Sequence, residues 1–146
     1  MKDATKFIRA KIITALNGNV SYGGSNVPVY NRVPSDATFP YIRVYSVSTS
    51  QINDNITAYN TEVITRLEVI TRFPGDSGGD LQMNDIMNDI MELLISKTSS
   101  AFDLSSDNFK VYSTTNEGVS YVQEDTVDHT YFRAILELGN KIEQTS

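Results

Sequence analysis

The sequence predicts an α+β domain: a mostly antiparallel β-sheet with two main helices packed on one face. Three observations lead there. From Glu62 to Phe73 the chain alternates. Val63, Thr65, Leu67, Val69, Thr71 and Phe73 point one way, and Glu62, Ile64, Arg66, Glu68, Ile70 and Arg72 the other, as successive side chains of a strand do. From Asp80 to Leu94, Met83, Ile86, Met87, Ile90, Met91 and Leu94 recur at spacings of three and four, the stripe of an amphipathic helix. The elements run helix, strands, helix, strands, so the apolar sides of strand and helix can bury each other.

Taken in order, the first helix spans Ala4 to Leu16, with Phe7, Ile8, Ile12, Ala15 and Leu16 on one side. Asn17-Gly18-Asn19 ends it, because Gly and Asn accept the left-handed conformation of a helix C-terminus. A polar link, Ser21 to Asn26, leads to the extended piece Val27 to Tyr30, whose Pro28 suits a sheet edge. Pro34 to Pro40 turns the chain into a strand from Tyr41 to Ser48, with Ile42 and Val44 opposing Tyr41, Arg43, Tyr45 and Val47. The Asn-rich stretch Gln51 to Thr61 reads as a long projecting hairpin loop.

After the central strand, Pro74 and the glycines of Gly75-Asp76-Ser77-Gly78-Gly79 make a turn, with Asp76 or Ser77 as helix cap. Thr98 to Asn108 is a polar connection in which Phe102 and Leu104 tuck inward. Phe109 to Thr115 and Val119 to Glu124 read as a hairpin with Asn116-Glu117-Gly118 at its tip. A turn over Asp125 to Asp128 precedes a last strand, Thr130 to Leu138, and Lys141 to Ser146 reads as a polar tail. The whole, residues 1–146, is expected to be one domain.

Composition sets the outer bounds. The 146 residues are 40% hydrophobic and 21% charged, ordinary for a globular chain with its own core. No stretch is long and apolar enough to span a bilayer, and the first residues, with an acidic Asp3 and no small-residue cleavage site, do not read as a signal peptide. With no cysteine, disulfides, thiolate catalysis and cysteine-ligated zinc are excluded. The net charge is −6, and the basic residues are scattered. Tight sequence-specific DNA binding needs a phosphate-neutralising surface that this chain lacks, whereas DNA sliding past an acidic surface is compatible with it.

Several motifs suggest chemistry and lose it in context. Gly75-Asp76-Ser77-Gly78-Gly79 spells the surroundings of a chymotrypsin-like nucleophile, but the one histidine, His129, follows Ser77 instead of preceding it. His129 has no second histidine to form a metal site. Asn53-Asp54-Asn55 lacks the spaced ligands of a calcium loop. The GDSGGD stretch has neither the lysine nor the spacing of a phosphate-binding loop. No catalytic residue, cofactor or metal is therefore expected. The methionines of the second helix fill a core more readily than they form a groove. The charges Glu62, Arg66, Glu68 and Arg72, with Tyr41, Tyr45, Tyr131 and Arg133 on a shared face, fit two readings. One is a solvated sheet face with weak ion pairs; the other is a subunit interface, where alternating signs set register.

Val29-Tyr30-Asn31-Arg32-Val33-Pro34 followed by Phe39-Pro40-Tyr41-Ile42-Arg43-Val44-Tyr45 gives a Val-Tyr, a proline, and then a Pro-Tyr opening a strand. With the N-terminal helix, the long strand Val63 to Phe73, the glycine-rich turn, the helix Asp80 to Leu94 and the closing strand Tyr131 to Leu138, this pattern resembles the tail terminator (tail completion, head–tail joining) proteins of tailed bacteriophages. The resemblance covers most of the chain and rests on the order of elements.

It implies a structural, non-enzymatic protein of the virion, assembled in the host cytoplasm and placed at the tail–neck junction. A hexameric ring would cap the tail tube, end its elongation and join it to the head or neck, with DNA passing through. Its partners would be further copies of itself, the tail tube protein and a head-completion or neck protein, with no membrane. Glu62, Arg66, Glu68, Arg72, Tyr131 and Arg133 would form the subunit interface, and Gln51, Asn53, Asp54, Asn55 and Tyr59 a loop touching the tube or a neighbour. Six copies at −6 each carry −36. The alternatives are another neck ring, such as a head-completion or connector protein, and a small serine hydrolase using Ser77.

Overall fold

The computed structural model describes residues 1–52, 58–96 and 102–145. The fold is α+β, a largely antiparallel sheet with its helices on one face. Helix α1 (Thr5–Leu16) buries Ile8, Ile12 and Leu16, one residue per turn, and the chain leaves it through Gly18 at φ 79°. A two-stranded ribbon of β1 (Ser21–Tyr22) and β2 (Ser25–Asn26) follows. Gly23 and Gly24 hold positive φ in its loop, as a tight two-residue hairpin loop requires.

The main sheet contains β3 (Val29–Tyr30), β4 (Tyr41–Gln51), β5 (Asn60–Pro74), β6 (Phe109–Asp125) and β7 (His129–Gln144) in the order β3-β4-β5-β7-β6. Only β3 runs parallel to its neighbour, and it is the proline-preceded edge piece expected from sequence. Central β5 pairs along its whole length with β7, from Asn60 opposite Glu143 to Pro74 opposite His129. Its odd-numbered side faces α1 and α2 (Leu81–Leu94). There Val44, Leu67 and Leu136 stand side by side on three strands, all with zero exposure. From α2, Met83, Ile86, Met87, Ile90 and Leu94 close over the sheet. The three methionines of α2 are thus core or core-flanking residues.

Four sequence expectations are corrected. The hairpin placed at Asn116-Glu117-Gly118 does not exist: β6 is one 17-residue strand, and its hairpin partner is β7. Glu117 is the extra residue of a β-bulge, with the Gly118 N–H donated to Asn116 Oδ1 at 2.8 Å and Gly118 at φ 143°. Bulge and turn draw on the same residue types, so the pattern is ambiguous in sequence. The polar tail is also strand: Lys141 pairs with Glu62 and Ser113, and Ile142 is buried.

The loop after β4 is shorter than expected, because β4 runs to Gln51 and β5 starts at Asn60. Finally, neither Asp76 nor Ser77 caps α2. Ser77 Oγ donates to the Pro74 carbonyl at 2.6 Å, closing the turn, and Asp80 takes the N-cap position without a side-chain cap hydrogen bond.

Candidate subunit interface

With both helices on one side, the even-numbered side chains of β5 are left on a face that no helix covers. The loop before β4 reaches over part of it, where Phe39 packs on Tyr41 and Tyr131 and where Glu68 and Ile70 are buried. Register carries that face across four strands. Tyr45 stands opposite Arg66 and Arg66 opposite Glu137; Arg43 opposite Glu68 and Glu68 opposite Ile135; Tyr41 opposite Ile70 and Ile70 opposite Arg133; Arg72 opposite Tyr131 and Tyr131 opposite Glu124. All six residues expected at an interface, Glu62, Arg66, Glu68, Arg72, Tyr131 and Arg133, therefore share this face, together with Tyr41 and Tyr45.

Long side chains lie flat on it. The Arg43 guanidinium sits 4.4 Å from the Tyr45 ring centre and the Arg72 guanidinium 4.4 Å from that of Phe39. Rings follow one another from Tyr30 to Tyr41, Phe39, Tyr131 and His129, at centroid distances of 6.1, 5.0, 5.8 and 6.2 Å. Stacked arginine and tyrosine present much apolar area with little rotamer freedom left to lose, the profile of interface anchors. Beneath them Glu68 is only 9% exposed and accepts a hydrogen bond from Tyr45 Oη at 2.8 Å.

Arg66 Nη2 meets Glu137 Oε1 at 2.6 Å, and Arg133 Nη2 meets Glu124 Oε2 at 3.3 Å. Hydrogen bonding to Glu137, and then to Tyr45, raises the pKa of Arg66 above its ordinary value, so it stays charged throughout the accessible range. Both members of the Arg66–Glu137 pair keep about a third of their side-chain surface in water, 33% and 40%, so solvent screens most of that attraction. Glu137→Gln is accordingly expected to cost the isolated subunit less than about 1 kcal/mol, read from the urea midpoint. A loss of several kcal/mol would mark the pair as a structural strut.

The expected loop residues are not brought together with this face. Gln51 ends β4 opposite Thr61, and Tyr59 is 46% exposed, with its carbonyl accepting the Gln144 N–H at 2.9 Å. Asn53, Asp54 and Asn55 lie outside the described residues. Sequence reasoning missed Phe39, Arg43 and Glu137 as members of the face. Strand alternation alone places Arg43 beside Tyr45, but only the fold brings Phe39 under Arg72.

The serine and histidine of the protease-like motif are engaged elsewhere. The Ser77 hydroxyl is donated to a backbone carbonyl, and the His129 ring packs on Tyr131. Among the described residues, no cluster of three or more His, Asp or Glu is arranged to hold a metal, and no helix is long and apolar enough to cross a membrane. No protein-family model matches this chain, and no curated protein matches it.

Proposed function

We propose that this protein is a ring-forming structural subunit of the tail terminator kind. In this reading about six copies cap the tail tube at the tail–neck junction of a virion, end its elongation and present a surface to the head or neck. DNA passes through the ring. The observation that carries the reading is the sheet face left bare by the helices, where arginines of β4 and β5 are stacked on Tyr45 and Phe39. Left in water, a guanidinium stacked on an aromatic ring gains only about 0.5–1 kcal/mol, whereas burial by a neighbour raises that to about 2 kcal/mol or more.

The outer edge of β6 adds to this. Among the described residues it is a 17-residue strand hydrogen-bonded on one side only, and long edges are either blunted or used for pairing. The bulge at Glu117 interrupts the edge without shortening it. A stable ring needs each neighbour contact to bury more than about 1,000 Å², which a four-strand face can supply. The acidic balance of the chain suits passage of DNA without retention.

The test is native mass over a concentration range with imaging of the same sample. A species at 6 × 16.3 = 97.8 kDa with a central hole is the expected result. A monomer that also fails to bind purified tail tubes would end this reading. Another ring of the neck would give the same mass but would bind a head-side partner in place of tube ends.

A further inference from the structure

We infer that the uncovered sheet face of one subunit receives the outer side of α2 from a second copy, so that the contact is head to tail. The inference rests on the ring reading and specifies which surfaces meet. It starts from an imbalance of charge within the subunit. The two ion pairs found among the described residues engage Arg66 and Arg133; Arg32, Arg43 and Arg72 pair with no described carboxylate. Arg32 and Arg43 border a depression of about 580 Å³ on the sheet face, together with Arg133, Tyr41, Tyr45 and Ile70. Arg133 there is already paired with Glu124, which leaves Arg32 and Arg43 against the single carboxylate of Glu68, an excess of +1.

The opposite imbalance lies on the other side of the molecule. Helix α2 contains Asp85, Asp89 and Glu92 and no basic residue. Asp85 and Glu92 are exposed, on one stripe with Asn88 and Leu81, and none of the three acids pairs with a described cation. Leu81 is 67% exposed, an apolar side chain standing in the same row as the acids.

The two surfaces match in length as well as sign. Asp85 and Glu92 are seven residues apart, about 10 Å along a helix axis. Arg43 stands opposite Glu68, and Arg72 lies four residues beyond it on β5, about 13 Å along the strand. A helix laid along the strands would set its carboxylates near Arg43 and Arg72. With Asp85 at Arg43, Leu81, one turn earlier on the helix, would lie about 6 Å beyond it, beside Tyr45, which stands opposite Arg66.

Both surfaces belong to one chain and lie on opposite sides of it. Joining them makes a heterologous contact, the kind that closes into a ring or runs on as a filament. Sheet face against sheet face would instead give an isologous dimer, with arginine set against arginine.

The chain has no cysteine, which makes cross-linking direct. Two single-cysteine variants, Val33→Cys at the depression and Asn88→Cys on α2, keep every charge named above. Mixed and oxidised, they are expected to give a disulfide-linked heterodimer, while each alone stays uncross-linked. Adding Arg43→Glu to the first is expected to lower the yield roughly tenfold, and Asp85→Arg in the second to recover it. Dimers from Val33→Cys alone would overturn the inference in favour of face-to-face pairing. Absence of the cross-link in samples whose native mass is oligomeric would overturn it and leave the ring reading intact. Absence of both the cross-link and the oligomer, with no binding to tube ends, would overturn the two together.

Discussion

Leu67→Ala is expected to destabilise the protein by about 3 kcal/mol, within the roughly 2–5 kcal/mol of buried leucine truncations. Leu67 has zero exposure and sits in mid-sheet, flanked by Val44 on β4 and Leu136 on β7. Its neighbours belong to three strands and the helices above them, so the cavity cannot close by moving one side chain. A domain of this size loses about 2–4 °C of Tm per kcal/mol, giving a drop of roughly 6–12 °C. Leu81→Ala is the control: the side chain is 67% exposed, and the isolated subunit should change by less than about 0.5 kcal/mol. If the two variants unfolded at the same urea concentration, Leu67 would not be at the centre of the core. The comparison also protects the interface argument, since a residue that matters only in assembly must be silent in the monomer.

The parts of this fold that are legible in the sequence are those where one periodicity runs unbroken. The alternation from Val63 to Phe73 and the helical stripe from Met83 to Leu94 need no tertiary information, because each pattern repeats often enough to exclude the other. Strand β6 is illegible for the opposite reason. Two irregularities, between Val111 and Ser113 and between Asn116 and Gly118, each shift the alternation by one residue. The second shift undoes the first, so only the stretch between them is out of phase. Thr114 and Asn116 stand opposite Asn140 and Leu138 on the helix side, and odd-numbered residues return there with Val119 and with Tyr121 beside α2. A reader of period-two patterns sees two short strands and a turn. The C-terminal end of β7 is hidden by composition: Asn140, Lys141, Glu143 and Gln144 surround Ile142, and only pairing with β5 and β6 makes them strand. The uncovered face is half visible. Its charges follow from alternation on β5, but the aromatic layer needs register between β4, β5 and β7, and Phe39 needs the path of a loop.

Gly78→Ala is expected to cost about 2–4 kcal/mol, from two sources that can be separated. Gly78 holds φ 92°, and placing a side chain in the left-handed half of the map costs about 1–2 kcal/mol. A Cβ there would also collide with Cγ and Cδ2 of the Phe73 ring. That ring packs edge-on against Phe132 with centroids 5.9 Å apart, so it cannot swing aside without losing a contact; overpacking of this kind costs about 1–3 kcal/mol. At Gly79, one residue on, an added Cβ would meet no atom within 4 Å, so Gly79→Ala should be nearly neutral. Phe73→Ala in the Gly78→Ala background removes the colliding Cγ and Cδ2 and leaves only Cβ near the added methyl, with φ unchanged. The double variant should therefore recover part of the loss. Its stability, taken from the urea midpoint, should exceed the sum of the single effects by about 1 kcal/mol or more, as contacting residues do. Strict additivity would mean that Phe73 and Gly78 do not touch and that the turn is set by φ alone. In that case the start of α2, and with it the placement of its acidic outer side, would be fixed by the Ser77–Pro74 hydrogen bond instead of by packing.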